Sequence, residues 1–157
     1  MSDFQDPYVY PGTKLLRNLQ DEYDPERAAA AERDFSLLRR RELELRPVNP
    51  SRAGRGAANN NGFDLRHLKE IHRHLYQDVW AWAGEIRVVE INKGTSQFHS
   101  SGRIESAFAG VHDWLVHDTK LLSNPKIDDE TFIKQVADLL EKVNTGARHL
   151  STRELSD

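Results

Sequence analysis

Four stretches of this chain place apolar residues three to four positions apart, and VEINKGTSQF (Val89–Phe98) breaks that period between the second and the third. Val88, Val89 and Ile91 are β-branched, Lys93, Gly94 and Thr95 are turn chemistry, and Phe98 closes a second short arm. Such a run sits poorly in a helix and well on a pleated surface, so it predicts a small hairpin with its turn around Asn92–Ser96. With only one such segment there is no sheet to build on, and the core must come from helix faces. The fold class that follows is mainly α with one β-hairpin.

The first helix is predicted over DPERAAAAERDFSLLRRRELEL, with Asp24 as N-cap, Pro25 at the first helical position and Glu26 in the first turn. Ala31, Phe35, Leu38 and Leu45 form its apolar stripe, and Arg39, Arg40 and Arg41 read as a solvated face near its end. Residues 46–62, RPVNPSRAGRGAANNNG, are dense in Pro, Gly, Ser and Asn and are expected to be a flexible loop inside one domain.

The second helix is read in FDLRHLKEIHRHLYQDVWAWAG, with Asp64 as its N-cap, Leu65, Leu68, Ile71 and Leu75 on one stripe, and a Trp-rich turn stopped by Gly84. Trp80 and Trp82 are large apolar rings and are expected in the core. After the hairpin, GRIESAFAGVHDWLVHDTKLLS predicts a third helix striped by Ile104, Phe108, Val111, Leu115 and Leu122 and ended before Asn124-Pro125. The fourth, DDETFIKQVADLLEKVN, carries Phe132, Ile133, Val136, Leu139, Leu140 and Val143 on a face broad enough to want neighbours on more than one side. The tail, 145–157, is polar and expected to fray.

At 157 residues the whole reads as one domain. Lys and Arg number 22 against 25 Asp and Glu, so the net charge of -3 gives no electrostatic reason for nucleic-acid binding. There is no cysteine, which removes thiolate nucleophiles and Cys-type zinc sites and fits a cytoplasmic protein. No window is apolar for long enough to span a bilayer, so no membrane association is expected.

His67, Glu70 and His74 share one side of the second helix, but the tight His-x-x-x-His pair and a third ligand are missing, so no metal site is expected there. Gly54-Arg55-Gly56 lies between no strand and helix and is read as linker, not as a phosphate loop. Neither a nucleophile elbow nor a Ser-x-x-Lys pattern is present.

Larger blocks of wording carry further. DPYVYPGTKLLRN, then AERDFSLLRRREL, then LKEIHRHLYQDVWAWAGEIRVVEINKGTSQF, then FIKQVADLLEKVN resemble, in that order, the N-terminal part of a Fic domain (the Fic/Doc family) over Asp6 to Asn144. The block HLYQDVWAWAGEIR followed by Lys93-Gly94 and Phe98 is the most specific part. The resemblance implies a helical domain with a β-hairpin flap that transfers AMP from ATP, with magnesium, onto a hydroxyl side chain of a target protein. Val89, Ile91, Lys93, Gly94, Thr95 and Phe98 would then be the target-binding flap, along which an extended segment adds as a strand. No Ser/Thr-x-x-x-Glu-Gly/Asn inhibitory helix is found, so the implied partner, besides the target, is a separate small antitoxin carrying that helix.

The catalytic motif of the family, His-Pro-Phe-x-Asp/Glu-Gly-Asn-Gly-Arg, supplies a histidine base, a metal-holding carboxylate and a helix start whose amides hold phosphate. Asn144 is followed instead by TGARHLSTRELSD. His149 is followed by Leu150 rather than proline, with no Gly-Asn-Gly-Arg after it, so no catalytic residue is assigned and the C-terminal part of the fold is expected to be missing or altered. The resemblance then implies a transferase impaired in this form, or else a non-catalytic, toxin-like module that binds an antitoxin or a target segment through its flap.

Overall fold

The computed structural model describes residues 6–48, 63–90, 92–93, 96–97, 100–122, 124 and 126–147, with side chains omitted for 92–93, 96–97 and 144–147. The chain divides into two compact units, Met1–Val48 with Lys69–Gly84, and Asn49–Leu68 with Glu85–Asp157.

The first unit opens on a tight reversal. Tyr10 N donates to Leu15 O at 2.9 Å, Arg17 N to Tyr8 O at 2.8 Å, and Val9 bridges Leu16 antiparallel, around a Gly12 whose φ of 74° suits glycine. This buries Val9, Tyr10 and Leu15. Helix α1 is Pro25–Leu45, and the Asp24 side chain accepts from Arg27 N at 2.9 Å as the capping pattern requires. Its stripe is less buried than its spacing suggests. No residue of α1 is buried, and Leu38 and Leu45 are exposed.

Arg39 corrects the expectation of a solvated arginine run. Its guanidinium forks onto Asp78, with Nε 2.6 Å from Oδ2 and Nη2 3.0 Å from Oδ1, and Nη1 reaches Glu42 at 2.9 Å. The pairing holds the Asp78 carboxyl below the usual carboxylate range. Arg40 does remain on the surface, paired with Glu44 at 3.2 Å.

Helix α2 is Leu65–Tyr76, and its first turn, Leu65–Leu68, belongs to the second unit. Asp64 Oδ1 accepts from His67 N at 2.8 Å, so the expected N-cap is present. Beyond Tyr76 the chain turns through Val79, Trp80 and Ala83, all buried, to Gly84. Tyr76 and Trp80 stack at 4.5 Å, Trp80 and Trp82 at 6.1 Å, and Tyr8 meets the Trp82 edge at 5.0 Å. The tryptophans are packing residues, with Trp80 buried and Trp82 half-buried.

In the second unit, strands β1 (Asn92–Lys93) and β2 (Ser96–Gln97) pair antiparallel with Asn92 opposite Gln97 and Lys93 opposite Ser96. A 3₁₀ turn at Ser101–Arg103 leads into α3, Ile104–His117, whose Ile104, Phe108 and Leu115 are buried. The helix ends sooner than its stripe predicts. Asp118 N donates to Trp114 O at 2.9 Å as the last helical bond and the Thr119 hydroxyl donates to Leu115 O at 2.6 Å, so a side chain takes the carbonyl a further turn would use and Leu122 is left in the connection. Helix α4, Asp129–Ala147, packs against α3. Lys120 N donates to Gln135 Oε1 at 3.0 Å, and Lys142 Nζ lies 5.0 Å from the Trp114 ring centre. The helix runs past Asn144 to Ala147, so the first part of the expected frayed tail is helical; 148–157 lie outside the described residues. None of its described side chains is buried, and Phe132, Ile133 and Leu140 are exposed.

Candidate functional site

The hairpin grows out of a fixed base. Arg87 is an arginine with a side chain 0 % exposed, and its Nη1 donates to Val89 O. Val89 is itself buried, in a bend that precedes β1, while its neighbour Val88 is exposed. One β-branched residue therefore anchors the arm ahead of β1.

Glu90 joins the two ends of the arm. Its Oε1 accepts from Ser101 N and from Ser101 Oγ, each at 3.0 Å, and its Oε2 lies 3.8 Å from Arg87 Nη1. The Ser101 donors, and after them Arg87, hold the Glu90 carboxyl below the usual carboxylate range. Sequence reasoning passed over Arg87, Glu90 and Ser101, because nothing local marks a glutamate and a serine on opposite sides of a hairpin as partners.

Of the predicted flap residues, Val89 is a buried anchor and Lys93 is in β1 opposite Ser96; Ile91, Gly94, Thr95 and Phe98 lie outside the described residues, as does His149. The three residues sharing a side of α2 have separate occupations. His67 is buried, and its Nδ1 accepts from Phe63 N at 3.2 Å. Glu70 pairs with Arg73 at 2.8 Å, and His74 Nε2 is 3.1 Å from Glu42 Oε2.

A nucleotide needs anion donors and its magnesium needs clustered oxygens. Among the described residues no group of three His, Cys, Asp or Glu side chains is placed to hold a metal ion. The described helix starts are spent on carboxylates of the chain itself. Asp24 takes Arg27 N, Asp64 takes His67 N, Glu90 takes Ser101 N ahead of α3, and Asp128 takes Thr131 N ahead of α4. A phosphate would meet a negative charge at each. The described residues thus do not fit a magnesium–nucleotide site.

No protein-family model matches the chain. The helical arrangement is nevertheless that of a Fic domain. The crystal structure of BepC from Bartonella tribocorum, with bound AMPPNP, superposes with a TM-score of 0.69 at 17% identity, covering 88% of this chain and 67% of that one. In sequence, a Salmonella typhimurium protein named "Probable protein adenylyltransferase Fic" is 31% identical over 140 residues, 89% of this chain and 62% of its own length. The protein adenylyltransferase VbhT of Bartonella schoenbuchensis is 38% identical over 116 residues, 74% of this chain and 22% of its own length. The chain belongs to the Fic family. It spans less than two thirds of either of these relatives. Among the described residues no helix is long and apolar enough to cross a membrane.

Proposed function

We propose that the chain is a Fic-type protein adenylyltransferase by descent, carrying the scaffold and the target-binding flap, and that in the form of these 157 residues it is impaired in AMP transfer. The transfer would move AMP from ATP, with magnesium, to a hydroxyl of a target protein in the cytoplasm, breaking the bond between the α- and β-phosphates and releasing pyrophosphate and the hydroxyl proton. The flap, with Val89, Ile91, Lys93, Gly94, Thr95 and Phe98, would hold an extended target segment as an added strand.

The observation that carries the impairment is the carboxylate at every described helix start, in a sequence without the Gly-Asn-Gly-Arg that would supply phosphate donors. A histidine such as His149 cannot orient a triphosphate alone. Incubation of a bacterial lysate with magnesium and ATP radiolabelled at the α-phosphate, with and without the chain, tests this. No labelled protein beyond those of the lysate alone is expected, and added labelling that vanishes in His149→Ala would overturn it.

A second reading takes the chain as a non-catalytic module that binds an antitoxin helix or a target segment. The hairpin with its anchored base favours it, because that apparatus needs no nucleotide. Titration with peptides of extended or helical design, read by calorimetry, would support it through saturable binding in the absence of ATP.

A further inference from the structure

We propose that Glu90 is the positioning residue of the hairpin, its carboxylate clasping the two ends of the flap through Ser101 so that the strand edge is ordered before any target arrives. The claim deepens the Fic reading and rests on it for the meaning of that edge.

A two-stranded hairpin is marginal in water, so something at its ends must hold it. Here the two ends are held differently. On the entering side Val89 is buried and its carbonyl is taken by the buried guanidinium of Arg87, which fixes the backbone one residue before Glu90. On the leaving side Ser101 opens the turn that delivers Ile104, 0% exposed, to the core. The Glu90 side chain crosses between these ends, with both Ser101 donors on one oxygen at 3.0 Å. It closes the loop containing β1 and β2, removing chain entropy from the open arm. A docking segment then has less ordering left to do.

The carboxylate is specific. An amide at this position could turn its oxygen to Ser101 only by turning its NH₂ toward Arg87 Nη1, 3.8 Å from the present Oε2. A contact that merely capped the turn ahead of α3 would leave the strands indifferent to its loss. That difference gives the test.

Amide–solvent exchange is measured by NMR on the whole 157-residue chain, for wild type, Glu90→Ala, Glu90→Gln, Ser101→Ala and Ser101→Thr. Of the opposite pairs Asn92/Gln97 and Lys93/Ser96, the one whose amides bond across the strands is expected to exchange roughly tenfold faster in Glu90→Ala and by a smaller factor in Glu90→Gln and Ser101→Ala, the size of a lost hydrogen bond or two. Ser101→Thr, which keeps amide and hydroxyl, restores the wild-type rates. Phe108 and Leu115, buried in α3, keep their rates throughout. Unchanged rates at the hydrogen-bonded strand amides in Glu90→Ala, or equal acceleration at Phe108 and Leu115, overturn the proposal. Failure of AMP transfer would not alter these rates, so the two ideas fail separately.

Discussion

The amide of Gly84 donates to Nδ1 of His72 at 2.9 Å, and the pair locks the end of the Trp-rich turn to α2. Because Nδ1 accepts, the proton of this neutral imidazole sits on Nε2, a buried atom. Burial alone pushes the His72 pKa down, to about 4.

His72 makes stability depend on pH in a defined direction. The unfolded chain binds its proton near pH 6.5, the folded chain only near 4, so the stability is whole above the unfolded value and declines as pH falls between the two. The full loss is about 3 kcal/mol. Urea titrations from pH 7.5 to 4.5 are expected to show that decline, with the slope removed in His72→Gln. The carboxylates held low, Glu42, Asp78, Glu90 and Asp128, act only at lower pH, and burial raises the Glu32 carboxyl and acts in the opposite sense, so His72 is read from the difference between wild type and His72→Gln.

Gly84→Ala is expected to cost about 3 kcal/mol, from left-handed strain together with a clash. Its φ is 80°, and a Cβ would lie 2.7 Å from Arg73 Cβ and 2.8 Å from Lys69 O, a helix carbonyl that cannot swing aside. Gly12→Ala is the control. With φ at 74° and nothing within 4 Å, it carries the strain alone, about 1 kcal/mol. Chemical denaturation of both variants checks the difference.

Arg39→Met is expected to lower stability by about 1 kcal/mol at neutral pH and low salt, by removing a bidentate pair that is only partly shielded from water. Asp78 is held low by Arg39, so this stability exists above the unfolded carboxylate pKa and fades as pH falls below it. The gap between wild type and variant should therefore shrink in acid and in salt, as read from denaturant midpoints.

Ile104 and Ile133 should respond very unequally to the same truncation. Ile104→Ala empties a site 0% exposed under α3 and is expected to cost about 3 kcal/mol. Ile133 is 66% exposed and Leu140 63%, so Ile133→Ala should change stability by less than about 0.5 kcal/mol. Thermal melts of the two variants decide it.

The starts of α1 and α2 were legible because an N-cap acts within one turn. Asp24 and Asp64 each reach an amide three residues ahead, and the sequence around each carries all that the contact needs. The hairpin was legible for a similar reason, since a change of period needs only its own residues, yet Asn92, Lys93 and Ser96, expected in its turn, pair as strand residues of β1 and β2. Family membership was legible in the order of long blocks, from DPYVYPGTKLLRN to FIKQVADLLEKVN.

By itself, then, the sequence determined which segments are helical, where two of them begin, where the period breaks, and that the phosphate-holding motif is not among these residues. Tertiary structure alone decided that Arg39 serves Asp78 instead of solvent, that His72 is a buried neutral base, that α3 stops at His117, and that Glu90 finds Ser101 across the hairpin. The physical reason is range. A cap or a stripe is set by neighbours a turn away, whereas these partners and this burial exist only once the chain has come back on itself, and residue type alone does not say which donor an exposed carboxylate will meet.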